Sequence, residues 1–268
     1  MTDYRYVLDV AQREFVTVLR TPMLLLLGGG FVLLMAGISW LGATGAYLAL
    51  VLDLLTPAEV LVPVLAFAFG YRALLGDRES GELETIRTYP IDSGGYVFGV
   101  YLGRAVVVLA VVLLGLFGSA VFVPMSQERQ LSVIASHATV DSPTLYLRYV
   151  LLTALFALVV LAVAILVSAA ARSTRGGLAL AAGAVLTLVV GLDSALIGSL
   201  TGGFVSADGV TALLAVSPNS AYRSLVFALS VAPTGVNVPP GPTVLVSTIG
   251  LAGWLVASLG VASLLAWR

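Results

Sequence analysis

Cysteine and lysine are both missing from the 268 residues, and the one histidine is His137. Without cysteine there are no disulfides and no thiolate metal sites, so redox compartment leaves no mark on the chain. Without lysine the phosphate-binding pattern G-x-x-x-x-G-K-[ST] cannot occur, which excludes a P-loop ATPase within these residues. A lone histidine excludes the H-E-x-x-H zinc pattern, and a metal site of any kind needs several converging ligands. Charge is scarce as well: 10% of residues are charged against 59% hydrophobic, and mean hydropathy is +1.06. A soluble domain carries about a quarter charged residues. So few charges cannot clothe a globule this apolar. The 13 basic and 14 acidic residues leave a net charge of −1, which gives no basic footprint for nucleic acid. The composition is that of an integral membrane protein.

Long apolar runs are what the chain does have. A helix crossing about 30 Å of hydrocarbon needs about 20 predominantly apolar residues. Six stretches qualify, at about 22–41, 60–75, 97–123, 146–171, 176–200 and 243–267, and residues 47–55 can extend either of the first two. The runs are continuous rather than short and alternating, so they predict helices and not barrel strands. The expectation is one all-α transmembrane domain over residues 1–268. Arg5, Arg13, Arg20, Arg72, Arg78, Arg87, Arg172, Arg175 and Arg268 fall on one side of the spans, with Arg104 close to it; Arg129, Arg148 and Arg223 fall on the other. The basic side is the cytoplasmic one, which predicts that both termini are cytoplasmic, in agreement with an even number of spans.

Residues 1–21 precede the first span and carry too much charge for a cleaved signal. Tyr4, Val7, Leu8, Ala11, Phe15 and Val18 recur at helical spacing, with Asp3, Arg5, Asp9, Gln12, Arg13 and Arg20 mostly off that stripe. This predicts an amphipathic helix lying in the inner interface and ending at Pro22. Outside, the expected loops are 42–59 with Asp53 and Glu59 as solvated end residues, 124–145 with His137 exposed, and 201–242. The last contains apolar pieces too short to span, expected to lie at the interface or to dip in and return.

The inner link between spans two and three is the most informative. Asp77 can cap a helix whose first turn is acidic. Leu83 and Ile86 then share a face, and Pro90 stops the helix. A short, heavily charged helix held between two spans suits a docking peg better than a plain linker.

Residues 79–90, with Glu79, Ser80, Gly81, Glu82, Leu83, Glu84, Ile86, Arg87 and Pro90, resemble the cytoplasmic motif of ABC-2 type transporter permeases. Gly103 and Arg104 stand where that family opens its third span with Gly-Lys. The leader, with Arg13, Glu14, Phe15 and Arg20, resembles the family's interfacial elbow helix. Residues 217–223 are similar to a short outside motif before the last span. The resemblance covers the whole chain and is nearest to the permeases of nitrous-oxide-reductase maturation transporters and related multidrug exporters. The chain departs from the pattern at Glu82, where the family has Thr, and at Asp92 and Ser93, where it has Ser-Arg. The first departure makes the segment more acidic and implies a correspondingly basic partner groove.

The resemblance implies one half of a dimeric pathway, formed with a second copy or a paralogous permease and embedded in the bilayer of a prokaryotic plasma membrane. A separate ABC ATPase subunit would hold ATP and Mg, with no cofactor in this chain. Asp77, Arg78 and the residues through Arg87 would form the coupling helix that ATP-driven closure pushes, in an exporter. Two further residues invite weighing. Arg104 either snorkels to the inner interface or lines the pathway, and Asp193 either lines the pathway or marks a helix end. Gly99 with Gly103, and Gly198 with Gly202, permit close helix packing, within one subunit or between two. Residues 28–30, all glycine, suit a flexible or a closely packed first span. The alternative function is a non-transporting scaffold or a subunit that transmits force to an outside partner. An intramembrane protease fits worse, because His137 lies in a loop and Asp193 lacks a Gly-x-Gly-Asp setting.

Overall fold

The computed structural model describes residues 4–42, 45–127, 141–201, 214–239 and 241–267, and among these every regular element is helical. Six helices are long and apolar enough to cross a membrane. A short helix α1 (Tyr4–Leu19) leads into α2 (Pro22–Gly42), and α3 (Tyr47–Gly70) returns. The link that follows is α4 (Ala73–Ser80) and α5 (Glu82–Ile86), before the third span α6 (Ser93–Ala120) and its continuation α7 (Phe122–Gln127). The fourth span is α8 (Pro143–Ala170), and the fifth is α9 (Thr174–Leu186) joined through a π-helical turn at Thr187–Gly191 to α10 (Leu192–Thr201). A helix α11 (Pro218–Val226) and a second π turn (Phe227–Val231) precede the last span, α12 (Val244–Ala266). His137, Arg129, Gly202 and Arg268 lie outside the described residues.

Local chemistry explains where several of these helices start. Ser142, Ser173, Ser217 and Thr243 sit in extended backbone just before α8, α9, α11 and α12, and each side chain accepts from an amide of the first turn. This is the N-cap role of a short hydroxyl side chain. Tyr47 and Leu48 donate their amides to the two Asp141 carboxylate oxygens at 3.0 Å each, so the start of α3 is capped from 94 residues away.

That cap corrects the expected second span. It begins at Tyr47, so residues 47–55 extend the second span and not the first, and the expected first loop shrinks to the few residues after Gly42. Pro57 and Pro63 lie inside α3 without ending it. In a helical bundle, neighbouring helices and local adjustment can satisfy the carbonyls that a proline frees. Glu59 is therefore no loop-end residue: it is 3% exposed in the middle of a span. The inner link is corrected too. Asp77 does not cap a helix running to Pro90; it lies inside α4, which stops at Gly81 (φ +78°), and α5 restarts there. A left-handed residue after the last turn is a common helix stop, and glycine takes it without strain.

The fourth span holds the bundle together. Two thirds (67%) of its most apolar window is buried, against 11% for the fifth span. It packs along α3 and α12, with Gly70 of α3 so close to Ala164 that a Cβ there would lie 2.5 Å from the alanine's own.

Candidate functional site

Polar side chains gather at two levels of this apolar bundle. The first lies at the end where α1, α4 and α5 meet the ends of α3, α8 and α12 and the starts of α6 and α9. Here the chain builds a buried ion-pair network. Arg104, on α6, donates from Nε to Glu14 Oε2 at 2.8 Å and from Nη1 to the Phe69 carbonyl at the end of α3. Arg13 Nη2 reaches Glu14 Oε1 at 2.8 Å and also binds Asp77, while its Nη1 reaches Glu82 Oε2 at 3.3 Å. The Tyr96 hydroxyl donates to Asp77 at 2.6 Å. Glu14 and Arg104 are both buried, at 2% and 8% exposure. Charges this far from water persist only when paired and hydrogen-bonded.

The face of α1 that meets α6 is thus Val7, Val10, Ala11 and Glu14, with Val18 also buried, whereas Tyr4 and Leu8 of the predicted stripe are exposed. Phe15 is half-buried and Arg20 exposed. The Arg104 guanidinium is thus held by α1 and by the end of α3.

The link itself is tied to every helix around it. Arg78 donates to the carbonyls of Ala171 (2.7 Å), Ala169 (3.3 Å) and Leu265 (3.5 Å), at the C-terminal ends of α8 and α12. Those ends present unpaired carbonyls and the negative pole of the helix dipole, so an arginine fits both. Ser168 Oγ of α8 accepts from the amides of Leu74 and Leu75, and Thr174 at the start of α9 donates to Glu79 at 2.6 Å. Arg72 adds a 3.3 Å pair with Glu79. Arg87 pairs with Glu84 at 3.3 Å, binds the Trp267 carbonyl and lies over that indole ring, which stacks on Tyr96 at 5.2 Å. Leu83 is buried and Ile86 half-buried, which anchors α5 from below. Glu79, Ser80, Gly81, Glu82, Glu84, Arg87 and Pro90 remain on the surface. Of these anchors, the sequence reading passed over Tyr96, Ser168, Thr174 and Trp267. Their partners are backbone atoms or residues far away in the chain, so no local pattern marks them.

The second level joins α3, α10 and α11. Arg223 forms a two-pronged pair with Glu59, Nε to Oε1 and Nη2 to Oε2, both at 2.6 Å. Asp193 Oδ1 accepts from Ser217 (2.8 Å) and Ser220 (2.7 Å) at the start of α11, and its Oδ2 lies 3.9 Å from Arg223. The residues singled out at 217–223 and Asp193, far apart in the sequence, are one cluster. Glu59 completes it.

Next to it the Tyr222 and Thr153 hydroxyls bond at 2.8 Å, and the Tyr222 ring stacks on Phe156 at 4.5 Å. Tyr222→Phe keeps the stack and loses the bond. It is expected to cost about 1 kcal/mol, read as a lower thermal midpoint in detergent while Phe156→Ala costs several times more.

A family model described as "ABC-2 family transporter protein" matches residues 8–266. A Pseudomonas aeruginosa protein named "Probable ABC transporter permease protein NosY" is 30% identical over 270 residues, covering 94% of each chain. A Stutzerimonas stutzeri protein of the same name is 32% identical over 119 residues, covering 42% of this chain and 43% of the relative.

Proposed function

The chain belongs to the ABC-2 transporter family as a membrane permease of an ABC transporter, and on that premise we propose that α4 and α5 are its coupling element. In this reading two copies, or this chain and a paralogous permease, enclose one pathway, and each docks a separate ATPase subunit that binds ATP and Mg. The arginine-rich end is cytoplasmic, as are both termini, in a prokaryotic plasma membrane. α1 lies in the inner interface with Tyr4 and Leu8 toward lipid. Closure of the paired ATPases pushes the coupling elements and moves cargo outward.

The observation that carries this reading is the wiring of the link. A docking loop needs one face free and the other rigidly attached. Here Glu79, Glu82 and Glu84 lie on the exposed face, while Arg78, Leu83 and Arg87 fasten the same short segment to the body, including the ends of α8 and α12. A push on the segment is delivered to α1, α3, α6, α8, α9 and α12 at once. Packed helices respond to such a load by rigid-body movement between discrete arrangements.

The test is capture of the tagged protein from native membranes in mild detergent, with mass spectrometry of what accompanies it. A stoichiometric partner carrying a P-loop is expected, and its recovery should fall at least tenfold when Glu79 and Glu82 are both reversed to Arg. Recovery of no ATPase with the unaltered protein, by capture or by crosslinking, removes the reading.

A further inference from the structure

The Glu59 cluster lies well inside the bundle. At 1.5 Å per residue, Glu59 is about 18 Å along α3 from Tyr47. Phe156, against which Tyr222 stacks, is about 20 Å along α8 from Pro143. Trp254, whose indole donates to the Val216 carbonyl at 2.7 Å, is about 15 Å along α12 from Val244. The 214–223 segment therefore descends from the far end of the spans toward their middle. The Cβ of any residue at position 250 would collide with the Ala215 carbonyl, so Gly250 is what lets the descending chain lie against α12.

At this depth the Arg223 side chain is 43% exposed and Asp193 20%, while Glu59 is 4% exposed. A guanidinium turned toward hydrocarbon costs at least about 2.5–3.5 kcal/mol. The open side of Arg223 and Asp193 must therefore look onto water or a polar neighbour. Its buried side is fixed to α3, and α3 runs on to Phe69, whose carbonyl Arg104 holds, and then into α4. One continuous helix, with Pro63 between the two, thus connects the coupling element to the cluster.

We propose that Glu59, Asp193, Ser217, Ser220 and Arg223 form a polar gate on the water-facing wall of the pathway, with the Glu59–Arg223 pair as the latch that holds α11 against α3. Glu59 and Arg223 are positioning residues: when the coupling element shifts α3, the latch moves α11. This rests on the permease reading above.

The absence of cysteine makes the test direct. Asp193→Cys leaves the Glu59–Arg223 pair intact and places one thiol on the open face. In proteoliposomes it is treated with a permanently charged, membrane-impermeant methanethiosulfonate, with N-ethylmaleimide as the membrane-permeant comparison. The charged reagent is expected to react, and with the ATPase bound its rate is expected to differ at least tenfold between nucleotide-free and vanadate-trapped protein. Adding Glu59→Gln is expected to abolish that difference and fix the rate at the faster value. Reaction with N-ethylmaleimide alone in every state overturns the gate, and a nucleotide-dependent rate that survives Glu59→Gln overturns the latch. Should Glu59→Gln fail to fold, Glu59→Gln with Arg223→Gln removes both charges together and has the same expected outcome. Access by the charged reagent requires no ATPase, so failure of the permease reading shows separately, as loss of nucleotide dependence together with failure to capture an ATPase.

Discussion

Arg104→Met is expected to destabilise the protein by about 3 kcal/mol, the low end of what breaking a buried ion pair costs. Two donations disappear: one to Glu14, which is itself 2% exposed, and one to the Phe69 carbonyl at the end of α3. The cost stays at the low end because Arg13 still reaches Glu14 at 2.8 Å. The remaining network is nonetheless unbalanced, with the three carboxylates of Glu14, Asp77 and Glu82 sharing the charge of Arg13. Removing the carboxylate as well should restore part of the loss, since an apolar replacement of a whole buried pair is often close to neutral. Denaturation of the Glu14→Gln, Arg104→Met and double variants in one detergent forms the cycle. A double variant as unstable as the sum of the singles would mean the pair has no coupling energy.

The same network marks how far the sequence alone could be read. The long apolar runs were legible because hydrocarbon imposes one requirement on every residue of a span. All six appear, and the charged link between spans two and three lies where it was expected. What misled was punctuation. Asp53 and Glu59 have the look of loop-end residues, yet both lie inside α3, where Glu59 pairs with Arg223. Asp77 has every local attribute of an N-cap, but Tyr96 and Arg13 claim its carboxylate and hold it inside α4. In both cases a partner distant in sequence outweighs a local preference. Arg104 and Asp193 stand out as costly charges in apolar runs, and Glu14, Ser217 and Ser220 fall within motifs the sequence marks. No local pattern pairs Glu14 with Arg104 or the two serines with Asp193.

The two polar levels also differ in what they bind. Around the link, side-chain ion pairs are joined by contacts from Arg78, Arg87 and Arg104 to carbonyls at helix ends, where donors are needed. In the deeper cluster the contacts are side chain to side chain, Arg223 with Glu59 and Asp193 with two serines. The π turns at Thr187–Gly191 and Phe227–Val231 sit on either side of this second level in the chain, beside Asp193 and α11. Such turns recur at functional positions in helices because they offset the residues beyond them.

Gly103→Ala is expected to lift α1 from the bundle, although alanine is the better helix former by about 0.8–1.0 kcal/mol. A Cβ at position 103 would run into the Ala11 carbonyl and stand 2.7 Å from the Cβ of Glu14. Neither neighbour is the flexible tip of a side chain, so the backbone of α1 has to move. One turn earlier Gly99 has the same relation to Val7 and Val10, at 2.8 and 2.9 Å, which fixes α1 along the groove. The glycine pair on α6 therefore serves packing within one subunit. Displacing α1 separates Glu14 from Arg104 and Arg13 from Asp77, so a single methyl group reaches α4 through the ion pairs. The expected readouts are faster hydrogen exchange across residues 4–19 and a destabilisation of about 1–3 kcal/mol from overpacking. Gly118→Ala is the internal standard: it lies on the same helix with open space where the methyl would go, and it should leave exchange in α1 unchanged. Equal exchange in the two variants would mean that α1 does not depend on that groove, and that the ion pairs alone hold it in place.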